Sequence, residues 1–79
     1  MKIKKNIALS DSGFVFDPGT GNSFTTNPIG LQLIQFMKQE KTVSEMEKLI
    51  RDEYDVDAVT FERDLSDFVA VLGRLKLLE

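Results

Sequence analysis

Gly13-Phe14-Val15-Phe16-Asp17-Pro18-Gly19-Thr20-Gly21-Asn22-Ser23-Phe24-Thr25-Thr26-Asn27-Pro28-Ile29-Gly30, residues 13–30, writes a strand, a reversal, a second strand and a helix start in succession. Phe14, Val15 and Phe16 are a short β-rich run. Asp17 to Asn22 supplies a fixed φ at Pro18 and two glycines able to take positive φ, which is hairpin chemistry. Ser23 to Thr26 forms the returning strand, with Phe24 as its one large apolar side chain, facing inward. Asn27-Pro28 then starts a helix: the Asn side chain accepts from an otherwise unpaired N–H, and Pro at the first helical position gives up no needed donor.

Upstream, Ile3, Ile7 and Leu9 recur at period 2, with Lys5 the exception on that face, and predict a first strand over residues 3–9. Asp11-Ser12-Gly13 turns it back onto the second strand. Downstream, Ile29, Leu33, Ile34, Phe36 and Met37 mark the buried face of a first helix ending near Gln39. Thr42-Val43-Ser44-Glu45 has the form of a capping box, and Val43, Met46, Leu49 and Ile50 follow on a helical stripe, giving a second helix over Val43 to Glu53. Either Asp57 or Thr60 caps a third helix, in which Phe61, Leu65, Phe68, Leu72 and Leu75 fall within an arc of about 80°. Val71, beside Asp64 and Asp67, and Val69, near Glu62, widen that apolar band beyond what core packing needs, so one flank is a candidate groove wall.

The 79 residues predict one domain over 1–79, with a core worth roughly 3–5 kcal/mol. With 42% apolar and 29% charged residues, the composition is that of a folded chain rather than a disordered tail. The sequence contains no Cys and no His, which removes disulfides, thiolate metal sites and the commonest general base. A nucleophile would have to be one of five Ser residues without an evident base, or a Lys without an evident buried pocket, so the expectation is a non-enzyme that binds no metal or cofactor. No apolar run approaches a membrane span and Met1-Lys2-Ile3-Lys4-Lys5 lacks a signal-peptide h-region, which makes the cytoplasm the expected compartment and no membrane partner expected.

The net charge of −3 is unevenly spread: residues 40–67 hold ten Asp/Glu against four Lys/Arg, a local balance of −6. Such a surface disfavours nucleic acid and favours a basic or neutral polypeptide. Each polar feature also has a structural reading. Asn27 and Thr42 serve as caps, Asp55-Val56-Asp57 lacks the remaining ligands of a calcium loop, and Gly19-Thr20-Gly21 precedes a strand rather than a P-loop helix. Asp64 and Asp67 read as a solvated face, and Lys2, Lys4 and Lys5 as residues that solubilise the first strand.

Gly13-Phe14-Val15-Phe16-Asp17-Pro18, Thr20-Gly21, Asn27-Pro28-Ile29-Gly30, Tyr54-Asp55-Val56-Asp57 and Arg63-Asp64-Leu65-Ser66-Asp67-Phe68 occur in the order found in the PqqD-like family, which the chain resembles from about Ile7 to Leu78. The resemblance implies an α+β, winged-helix-like fold of three antiparallel strands followed by three helices. It implies a peptide chaperone or recognition element for ribosomally made, later modified peptides, whose leader adds as a strand between the third strand and the third helix. An edge strand suits that mode, because unpaired N–H and C=O groups give sequence-tolerant affinity while neighbouring side chains select the ligand. The peptide-binding residues implied are Ser23, Phe24, Thr25 and Thr26 on the strand and Asp64, Asp67, Phe68 and Val71 on the helix. The partners implied are a precursor peptide, expected to be rich in Lys or Arg, and a peptide-modifying enzyme, with the chain itself a monomer. Two departures stand out: Thr26 occupies a place where the family usually has an apolar residue, and the turn at Asp17 to Gly21 differs from that of the quinone-pathway member, which leaves the cargo open. The alternatives are a docking scaffold without peptide cargo and, disfavoured by the acidic helices, a winged-helix DNA-binding protein.

Overall fold

The structure, a computed structural model, describes residues 2–79. Its elements run β1 (Ala8–Leu9), β2 (Phe14–Phe16), β3 (Ser23–Thr25), α1 (Pro28–Lys38), α2 (Val43–Glu53) and α3 (Ala58–Arg74). The strands form one antiparallel sheet in the order β1-β2-β3. The core lies between one face of this sheet and the helices, and is built from Ile7, Val15, Ile34, Met46, Ile50, Phe61, Leu65, Leu72 and Leu77 with their neighbours.

Each helix begins where its cap dictates. Asn27 Oδ1 accepts from Gly30 N at 2.7 Å, with Pro28 inside the first turn of α1. Thr42 Oγ1 accepts from Glu45 N at 3.1 Å while Glu45 Oε1 accepts from Thr42 N at 2.8 Å, completing the capping box of α2. Of the two candidates for α3, Asp57 is the cap, accepting from Thr60 N at 2.7 Å.

The caps make acid sensitivity predictable. The Thr60 backbone N–H holds the Asp57 carboxyl below its ordinary value of 3.8, and the Thr42 backbone N–H holds that of Glu45 below 4.5. A carboxyl depressed in the folded state stabilises the fold above its unfolded pKa, and that contribution is lost as pH falls through the folded value. Thermal midpoints are therefore expected to drop as the pH is lowered from about 5 into the depressed range, and to drop less in an Asp57→Asn, Glu45→Gln double variant. Parallel curves for the two proteins would show that the caps do not carry the effect.

The N-terminal segment is not the continuous strand over 3–9 that its period suggests. Ile7 N bonds back to Lys4 O at 3.4 Å around a turn at Lys5 and Asn6, so only Ala8–Leu9 pairs with β2. Ile3 instead forms an antiparallel bridge with Leu78, and Lys4 N reaches Leu77 O at 2.9 Å. Lys5 breaks the alternation because it occupies that turn. Lys38 Nζ, at the end of α1, donates to Ile7 O at 2.6 Å and fastens the segment down. The lysines also pair: Lys2 Nζ lies 3.0 Å from Glu40, and Lys4 Nζ lies 3.7 Å from the fully buried Asp17.

Asp17 organises the hairpin more than the glycines do. Its Oδ1 accepts from Gly19 N at 2.9 Å, its carbonyl accepts from Gly21 N at 2.8 Å, and its own N–H donates to Asn22 O at 2.8 Å. Of the two hairpin glycines only Gly21 takes a positive φ, +79°. On α2, Met46 and Ile50 are buried but Val43 and Leu49 are exposed, because α2 covers the core along a narrower stripe than its sequence suggests. Leu31 is buried in addition to the residues expected from α1. Among the described residues, no helix is long and apolar enough to cross a membrane.

Candidate functional site

β2 pairs with one side of β3 in the register Phe14–Thr25, Val15–Phe24 and Phe16–Ser23, and no described strand pairs with the other side. Two flanking bonds set the phase of this ladder: Asp17 N to Asn22 O and Thr26 N to Gly13 O, both 2.8 Å. Bonded and non-bonded pairs alternate in an antiparallel ladder. Val15–Phe24 is then the bonded pair between them, and Phe14–Thr25 and Phe16–Ser23 are not. The backbone groups of Phe24 point into the sheet, while the N–H and C=O of Ser23 and Thr25 point out to the vacant edge. Side chains divide the other way. Val15 is buried and Phe24 half-buried against the core, whereas Phe14, across from Thr25, is 45% exposed on the outer face.

Where β3 ends, a groove of about 320 Å³ opens between α1 and α3. One wall carries Asp64, Asp67, Phe68 and Val71, so all four residues singled out on the third helix meet in a single concavity. The other wall is Asn27, Ile29, Gly30 and Leu33. Phe68 and Val71 are half-buried and give the groove apolar contact area, while Asp64 and Asp67 are exposed on the same wall. Arg63 Nε approaches Asp64 at 3.7 Å across solvent, an exposed pair of little energetic weight. Val69, on the other flank of α3, packs against the core instead.

The α1 wall was not legible as part of a site, since Asn27 reads as a cap and Ile29 and Leu33 as core stripe. One signal was present. A glycine in a helix costs about 0.5–1 kcal/mol relative to alanine unless close approach requires it. A Cβ on Gly30 would strike Thr26 Oγ1 and come within 3.2 Å of Phe68 Cε1. Gly30 therefore lets α1 lie against both the end of β3 and the groove wall, and the Thr26 hydroxyl fills the space beside it. A larger hollow, about 540 Å³, lies along α2 among Glu47, Lys48, Arg51 and Asp52, but it is lined only by α2 and the segment that follows it, and by neither the residues that follow β3 nor α3.

A three-stranded antiparallel sheet with a vacant edge, backed by three helices and leading into an inter-helix groove, defines a winged-helix-like α+β module. Residues 13–78 match the family model for coenzyme PQQ synthesis protein D (PqqD), and the chain belongs to the PqqD family. Among solved structures it is similar to that of TbiB1 in complex with the TbiA(beta) leader peptide, at 33% sequence identity and a TM-score of 0.86, over 100% of this chain and 95% of that one. No curated protein matches it.

Proposed function

We propose that the chain captures a ribosomally made precursor peptide through its leader, which adds as a fourth strand along β3, and presents it to a peptide-modifying enzyme. The observation that carries this reading is the open edge of Ser23–Thr25, followed two residues on by Asn27, which lines the groove with Asp64, Asp67, Phe68 and Val71. The leader peptide held by TbiB1 supports the same ligand class for its relative. Main-chain bonds from Ser23 and Thr25 supply affinity, and the groove supplies selection. Phe24 supports the edge from beneath, and Thr26 closes the inner ladder. The role is recognition without catalysis, by a single monomeric module in the cytoplasm.

The test is to identify by mass spectrometry the peptide that copurifies with the chain, then to titrate it into isotope-labelled protein. Amide shifts are expected at Ser23 and Thr25 and along Asp64 to Val71; shifts confined to α2 would rule out capture at the edge. The carboxylates of Asp64 and Asp67 favour a leader carrying Lys or Arg, chiefly by steering encounter. Replacing both by Asn is expected to weaken a basic leader by about two- to fivefold at low salt, and less at high salt. A measured preference for acidic leaders would exclude that charge selection.

A further inference from the structure

The groove does not end at Asp64. Ile29, Leu33 and Asp64 also line a second, smaller hollow of about 50 Å³, whose remaining walls are Ile50, Val56, Phe61 and Leu65. From Phe68, beside Gly30, the concavity continues along α3 toward its N-terminus, past Asp64, into an apolar notch closed by the end of α2 and the loop before α3. We infer that this notch is an additional subsite for one aliphatic side chain of the bound peptide, outside the segment that pairs with β3. The inference rests on the strand-capture reading and extends it.

Three features fix the occupant. A cavity of roughly 150 Å³ lined by apolar side chains admits benzene, so a notch of about 50 Å³ takes the tip of Val, Leu or Ile and excludes an aromatic ring. Ile50, Phe61 and Leu65 are buried and apolar, and offer no polar partner to a hydrophilic side chain. Asp64 stands at the junction of the two hollows, exposed, and favours a cation at the neighbouring peptide position. Spacing follows from geometry. Phe68 and Phe61 are seven residues apart on α3, about 10 Å at the helical rise, which an extended peptide covers in about three residues. The notch lies at the Asn27 end of β3. Antiparallel addition, the pairing used throughout this sheet and slightly the stronger per residue, puts the aliphatic residue on the N-terminal side of the paired segment.

A random-peptide display library, selected on the full chain, tests this without knowledge of the natural cargo. Enriched peptides are expected to carry Val, Leu or Ile about three residues before the residue seated on Phe68, with Lys or Arg between. Changing that aliphatic residue to Ala should cost about tenfold in affinity. In a Val56→Leu variant, whose longer aliphatic side chain occupies the notch, the same change should cost less than about twofold. If selected peptides shift the Ser23 and Thr25 amides but the Ala change alters affinity by less than about twofold, the notch is refuted and strand capture stands. If selected peptides leave those amides unmoved, or none is enriched, both readings fall. Because the Ala change is made in the peptide, the outcome does not depend on the variant folding.

Discussion

Replacing Thr25 by proline should leave the fold standing and weaken leader capture by about tenfold or more. The ladder phase set by the Asp17–Asn22 and Thr26–Gly13 bonds turns the Thr25 N–H to the open edge, so proline there removes no internal hydrogen bond. Proline is tolerated at an edge whose donor faces solvent. The added strand loses one ladder donor, worth about 0.5–1.5 kcal/mol, and meets the pyrrolidine ring where it must approach most closely. Phe24→Pro is the contrasting case. Phe24 faces Val15 across the bonded pair, so its N–H is spent inside the sheet and its loss falls on stability. Calorimetric affinity and thermal midpoint, measured on both variants with the copurified leader, separate the two effects. Thr25→Pro binding with wild-type affinity would remove strand addition from consideration.

Gly13→Ala should cost about 2–4 kcal/mol of folding stability, a large share of the roughly 3–5 kcal/mol a domain this small commands. Gly13 sits at φ +91°, and a Cβ there would run into the carbonyl of Thr26. That carbonyl is backbone, so no rotamer change relieves the clash. The same two residues are joined by the 2.8 Å bond from Thr26 N to Gly13 O that closes the inner ladder next to the edge. Gly21 supplies the control, at φ +79° with nothing within 4 Å of a built Cβ. Gly21→Ala pays only the left-handed conformation, about 1 kcal/mol. Urea midpoints that fall equally in the two variants would show that the approach of Thr26 is not what makes Gly13 necessary.

The helices and the hairpin were legible because their signals are local. Asn27 with Pro28, the Thr42–Glu45 box and Asp57 each satisfy orphan N–H groups within three residues of themselves, so each reads the same in isolation as in the fold. The strand over 3–9 failed for the opposite reason. Its alternation is real, yet Ile3 is claimed by Leu78, a partner 75 residues away that no window of the sequence contains. Asp17 was legible as a turn residue but not as a buried one, because its burial depends on the packing of the N-terminal segment that carries Lys4.

By itself the sequence determined the order of elements, the caps that start them, and the four residues of the third helix that stand together, since all of these follow from contacts between near neighbours along the chain. Only the tertiary structure decided that the groove lies between α1 and α3 rather than between β3 and α3, that Ser23 and Thr25 rather than Phe24 offer their backbone outward, and that α1 opens the way to the notch at Phe61. Those depend on ladder phase and on how closely Gly30 lets two helices approach, which are properties of distances between segments remote in sequence.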